Sequence, residues 1–145
     1  MARVSTYLNF PRSTEQAFLF YRSVFGGEFI GPINRYADIP AAPGQPAMAE
    51  ADKGLVMHVE LPILGGHVLM GSDAPQSMGL TVISGNQVSI NLEPDTRAEA
   101  DRLFEGLAVN GKVEMPMADM FWGAYFGCLV DRFGVRWMVN CANQP

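Results

Sequence analysis

The chain runs twice through the same order of elements, and this repeat limits its fold more than any single motif does. The stretch RVSTYLNF, residues 3–10, alternates: Val4, Leu8 and Phe10 fall on one face, and Ser5, Tyr7 and Asn9 on the other. That pattern predicts a half-buried strand. Pro11 follows, and Ser13 or Thr14 can cap a helix over STEQAFLFYRSVFGG, with Ala17, Phe18, Tyr21 and Phe25 as its inward stripe. Gly26 and Gly27 end the helix. EFIGPINRY then reads as a broken strand, and LVMHVELPI, Gly65-Gly66 and HVLMGSD as a hairpin.

From Asn86 the order returns. NQVSINLE alternates, with Val88, Ile90 and Leu92 opposite Gln87, Ser89 and Asn91. Asp95 or Thr96 caps a helix over TRAEADRLFEGLAVNG, whose Ala100, Leu103, Phe104 and Leu107 face inward. KVEMPM is a strand, and GAYFGCLVD with VRWMVNC is a closing hairpin. The expected fold is α+β: two βαβββ modules, about residues 1–75 and 84–145, whose uncovered sheet faces curl into a curved mixed sheet around a cleft. Between the first broken strand and the first hairpin, residues 37–54 hold three prolines and many small side chains. They read as a mobile loop that caps the cleft or meets a partner chain.

Composition removes several classes of function. The 145 residues suit one domain, and with 48% hydrophobic and 17% charged residues the balance is globular. Net charge is −5 and no Lys/Arg block exists, so no nucleic-acid footprint is expected. No apolar run approaches membrane length, and MARVSTYLNF lacks a signal-peptide pattern, so the expectation is a soluble, cytoplasmic protein without membrane contact. If Asp131 to Gly134 closes a simple hairpin, Cys128 lies opposite Trp137, with Cys141 about 13 Å further along at strand rise, too far for a disulfide.

Side-chain parity then selects the site. His58 and Glu60 are two apart on a strand and project from one face, while Met57, Val59 and Leu61 take the helix side. A histidine base oriented by a carboxylate is the functional reading, and a cross-strand polar pair the bland one. Asn9, Gln87, Ser89, Asn91 and Asn140 offer neutral hydrogen-bonding groups at matching places in both modules, and Tyr7 shares the face of Asn9. Phe121 and Trp122 precede the last hairpin and either close the cleft or pack against a second copy, with Tyr125 on the same wall. Trp137 belongs to the core, and Asp131 and Gly134 are turn residues.

The stretch NGKVEMPMADMFWGAYFGCLVDRFGVRWMVN, together with HVELPI and MGSD, resembles the vicinal oxygen chelate superfamily of glyoxalases, bleomycin-resistance proteins and ring-cleaving dioxygenases. Within it the similarity is to the PhnB-like branch. The resemblance implies paired βαβββ modules and a homodimer. It also implies that metal-binding members draw His, Glu or Gln ligands from the cleft side of the first and last strands of each module. The matching positions here are Tyr7 and Asn9; His67, Leu69 and Gly71, or one register off, Val68, Met70 and Ser72; Ser89 and Asn91; and Met138 and Asn140. No carboxylate stands among them, and asparagine carbonyls are weak ligands for zinc, iron or nickel. No metal site or cofactor is therefore expected, a divalent ion being the alternative. Some PhnB-like sequences bear a demethylubiquinone methyltransferase name, but no glycine-rich loop here follows a strand and opens a helix.

The leading expectation is metal-independent binding of a small organic molecule. Catalysis is left open: His58 and Glu60 are the catalytic candidates, and Tyr7, Asn9, Ser89, Asn91, Phe121, Trp122, Tyr125 and Asn140 the ligand-binding ones. The alternatives are a metal-dependent lyase, isomerase or dioxygenase, and a structural or regulatory dimer whose cleft holds only its own side chains.

Overall fold

A computed structural model describes residues 1–40, 43–44 and 47–142. The chain divides into two compact units, Met1–Val82 and Ile83–Pro145. The first contains β1 (Thr6–Phe10), α1 (Thr14–Phe25), β2 (Asn34–Arg35), β3 (Val56–Pro62) and β4 (Val68–Asp73). The second contains β5 (Ile90–Leu92), α2 (Arg97–Ala108), β6 (Lys112–Asp119), β7 (Tyr125–Val130) and β8 (Arg136–Cys141). Their sheets have equivalent orders, β1-β4-β3-β2 and β5-β8-β7-β6. In each the first strand lies parallel to the last and the remaining pairs are antiparallel. The repeat read from the sequence is thus a repeat of topology.

Each helix covers one face of its own sheet. Thr14, Ala17, Phe18, Tyr21 and Val24 are buried along α1. Val24 replaces the expected Phe25, which is only half-buried as the last residue of the helix. All four expected α2 residues, Ala100, Leu103, Phe104 and Leu107, are buried. Against α1 stand Val59 and Leu61 of β3 and Leu69 of β4, and against α2 stand Leu129 of β7 and Trp137 and Val139 of β8. Phe18 packs directly on Gly71, where a Cβ would lie 2.5 Å from its Cε1. Val88 is 77% exposed, because β5 begins two residues later than its alternation suggested.

The helix starts differ. Thr96 caps α2 as expected, its hydroxyl accepting the Glu99 amide at 3.1 Å. Ser13 makes no side-chain cap, and Asp73, at the far end of β4, takes the Thr14 amide at 3.0 Å and the Val56 amide at 2.8 Å. The buried Asp131 has a similar duty in the second unit, accepting from Phe133 N, Val135 N and Trp137 Nε1.

The β7–β8 loop corrects the expected register. The Asp131 amide bonds to the Val135 carbonyl at 2.8 Å and Gly134 has φ 89°, so three residues, not two, turn the corner. Cys128 therefore faces Met138 rather than Trp137. Both cysteines are free.

The loop expected to be mobile over 37–54 includes residues 41, 42, 45 and 46, which lie outside the described residues. Its two ends are tied down. Ala37 N bonds to Lys53 O, and the buried Asp52 accepts from Arg12 at 2.9 Å and from Ser77 at 2.7 Å. Those two donors hold the Asp52 carboxyl below its ordinary pKa.

Candidate functional site

Cross-strand register places the polar face of the first unit. Tyr7 pairs with Met70 and Met70 with Glu60, one row across β1, β4 and β3. Asn9 pairs with Ser72 in the next row, and their side chains meet at 3.4 Å. Asn34 of β2 pairs with His58. Of the two registers left open for β4, the structure selects Val68, Met70 and Ser72 for this face, since Leu69 and Gly71 lie buried under α1. His67 does not reach it and instead meets the Thr6 hydroxyl through Nε2 at 2.9 Å.

His58 is the centre of the face. Its Nδ1 lies 3.2 Å from the Tyr7 hydroxyl, and its Nε2 lies 3.6 Å from Glu60 Oε2. The Tyr7 and His58 rings are 5.7 Å apart and tilted by 30°. Arg3 approaches the other Glu60 oxygen at 3.7 Å. The tautomer that serves both contacts carries its proton on Nε2, so Tyr7 donates to Nδ1 and Nε2–H points at Glu60. All three side chains retain access to water. The set has the composition of a general base with an orienting carboxylate, and equally of a hydrogen-bonding platform for a polar ligand. Sequence parity found His58, Glu60, Tyr7 and Asn9. It missed Arg3 and Asn34, for which no local pattern existed.

The second unit presents a different face. Asn91, Met138, Cys128 and Met115 form one row across β5, β8, β7 and β6. Asn140 pairs with Phe126 in the next row, and Trp122 stacks edge-on against Phe126 at 6.0 Å. Phe121 meets Trp122 at 5.1 Å and is otherwise 99% exposed. Ser89 lies just before β5 and is half-buried. Tyr125, expected on the wall with Trp122, is on the helix side instead. Its hydroxyl donates to Asp101 of α2 at 2.6 Å, and the Arg97 guanidinium sits 4.1 Å above its ring. Alternation explains this: Tyr125 shares parity with Gly127 and Leu129, which face α2. The Asp101 bond raises the Tyr125 pKa, with burial adding to it.

Neither unit gathers, among its described residues, the kind of donor set that a divalent transition metal needs. Among the described residues no group of three or more His, Cys, Asp or Glu side chains gathers to hold an ion. On the open-face positions Tyr7, Asn9, Met70, Ser72, Asn91, Met138 and Asn140 stand a phenol, amides, a hydroxyl and thioethers, and the His58–Glu60 pair supplies two donors on a neighbouring strand. Imidazole and carboxylate sets of three or more are what zinc, iron or nickel require.

Paired βαβββ units of this strand order define the glyoxalase/bleomycin resistance/dioxygenase fold. The chain shares it with a family enzyme of that description from Burkholderia phytofirmans PsJN (19% identity, 95% of this chain and 98% of the other, TM-score 0.60). FosX from Listeria monocytogenes, a fosfomycin resistance protein solved with Mn(II) and sulfate, shares the fold too (10% identity, 98% and 93% covered, TM-score 0.63). Within this superfamily the chain belongs to the PhnB-like family described as 3-demethylubiquinone-9 3-methyltransferase, whose profile matches residues 2–140. It is 32% identical to Protein YjdN of Escherichia coli K12, over 97% of this chain and 96% of that one. It is 35% identical to protein PA1353 of Pseudomonas aeruginosa, with 99% and 100% covered and a TM-score of 0.83. A PhnB protein from Bacillus cereus, described as a putative 3-demethylubiquinone-9 3-methyltransferase, is 29% identical at TM-score 0.73, with 97% and 100% covered. No helix among the described residues is long and apolar enough to cross a membrane.

Proposed function

We propose that this protein binds a small organic molecule on the His58 face without a metal, acting in the cytoplasm as a homodimer. The observation that carries the reading is the Tyr7–His58–Glu60 chain on a sheet face left open by its own helix. It joins an aromatic ring, a two-sided hydrogen-bonding imidazole and a carboxylate, with Asn9, Ser72 and Asn34 around them. Such a set suits a ligand with a polar head and a flat or apolar body. Methyl transfer, named in the family's description, lacks support in the chain: α1 and α2 are entered through Pro-Arg-Ser and Pro-Asp-Thr, not through glycine-rich loops that could cradle a nucleotide-type cofactor. Homodimerisation is supported by the bare Phe121 and the half-exposed Trp122, and light scattering on purified protein checks it: a monomer would contradict it.

The test of binding is a fragment screen by ligand-observed NMR in the presence of EDTA, run on the native protein and on His58→Ala. Hits should lose their signal in the variant while its thermal midpoint stays near that of the native chain. Hits that persist in His58→Ala would remove His58 from the site. Elemental analysis showing one tightly held zinc, nickel, iron, manganese or cobalt per chain would replace the reading with a Lewis-acid site.

A further inference from the structure

The three-residue β7–β8 loop sets a register that gathers sulfur. Met115 of β6, Cys128 of β7 and Met138 of β8 stand side by side in one cross-strand row. Cys128 and Met138 share the sheet face opposite α2, because the alternate residues Gly127, Leu129, Trp137 and Val139 are the ones buried toward that helix, and Met115 stands beside Cys128 on β6 between two register shifts of that strand. Neighbouring strands are about 4.8 Å apart, so the outer Cα atoms lie about 10 Å apart with the cysteine between them. Two unbranched methionine side chains can lean inward over that gap. Cys128 is half-buried, and its thiol has no hydrogen-bond partner among the described residues. Met115 is 43% exposed on the edge strand, which leaves an entry path.

We propose that Met115, Cys128 and Met138 form a binding site for a soft monovalent cation, Cu(I) or its redox-stable analogue Ag(I). One thiolate and two neutral thioethers are the donor set these ions select, and a set that harder divalent ions avoid. Charge also favours the assignment. The Cys128 thiol releases its proton to solvent as the metal–sulfur bond forms, with no electron transferred. The thiolate then neutralises the single positive charge, so the loaded site carries no net charge on a half-buried face. A divalent ion would leave one positive charge there. The proposal does not rest on the His58 reading.

The test is anaerobic competition for Cu(I) against a chromophoric Cu(I) chelator, with Ag(I) counted by native mass spectrometry. The native chain should withdraw one Cu(I) from the chelator and retain one Ag(I). Cys128→Ser should lose both, Met115→Leu and Met138→Leu should each bind at least about tenfold more weakly, and His58→Ala should bind as the native chain does. Met115→Leu is a near-isosteric change at an exposed edge, so its weakening reports ligation rather than unfolding. Failure of the native chain to compete would overturn the proposal. So would native-like affinity in the double variant Met115→Leu/Met138→Leu, which would reduce the site to a reactive thiol.

Discussion

The two units share a strand order but not a surface chemistry. The open face of the first carries polar and charged groups: Tyr7 hydrogen-bonded to His58, Glu60 beside His58, and Arg3 beside Glu60. The corresponding rows of the second carry Asn91, Met138, Cys128, Met115, Phe126 and Asn140, which are neutral, soft and aromatic. What the two units have in common is an apolar helix-facing side. Alternation puts the other side of each strand outside the helix contacts, so its chemistry can differ between the units. A duplicated framework can in this way present two unlike surfaces.

The internal supports of the units can be set against each other. Removing the Asp131 carboxylate strands three donors, including the buried indole of Trp137. Asp131→Ala should cost about 3–4 kcal/mol in urea denaturation, and Asp73→Ala, which strands two amides, about 2–3 kcal/mol. Equal midpoints for Asp131→Ala and the native chain would mean that the carboxylate does not hold the hairpin. Glycine substitutions test packing next. A Cβ at Gly71 meets the enclosed Phe18 ring, whereas at Gly127 it meets Met117 Sδ at 2.8 Å and the backbone of the β6 edge. Gly71→Ala should destabilise by about 1–3 kcal/mol. Gly127→Ala should cost less, because an edge strand can move away; a larger loss at Gly127 would show that β6 is held as firmly as the core.

Acid stability gives a smaller contrast. Arg35 grips Glu15 with two bonds of 2.9 Å and joins β2 to α1, while Arg102 and Glu99 pair within α2. Both carboxyls are held below their ordinary pKa, in each case chiefly by the hydrogen-bonded arginine. A depressed folded pKa contributes stability that is fully present above the unfolded carboxylate value and is lost as pH falls through the folded one. Since these groups are largely solvated, each contribution stays below about 1 kcal/mol. Below about pH 4.5, the ordinary glutamate pKa, the advantage of the native chain over Arg35→Gln should shrink, and over Arg102→Gln it should shrink by less. Equal pH profiles for the two variants would deny Arg35 its bridging role.

Much of this was legible in the sequence, for local reasons. The repeat, the α2 stripe, the Thr96 cap and the shared face of His58 and Glu60 depend on residues within a few positions of one another. What escaped depends on distant partners or on one-residue counts. Asp73 serves the start of α1 from 59 residues away, and Tyr7 meets His58 across 51 residues through a strand that lies between them. The closing hairpin's register turned on one extra loop residue, which moved Cys128 from Trp137 to Met138. Tyr125 was misplaced although its parity with Leu129 was visible, because its neighbours Phe121 and Trp122 suggested a common wall.

The most direct measurement is a backbone amide chemical-shift map of the metal-free protein as a fragment from the NMR screen is added. The expected shifts centre on Tyr7, Asn9, His58, Glu60 and Met70 and are unchanged by EDTA. Shifts confined to the rows around Asn91 and Phe126, or shifts that develop only after zinc, nickel or manganese is supplied, would contradict metal-independent binding on the His58 face.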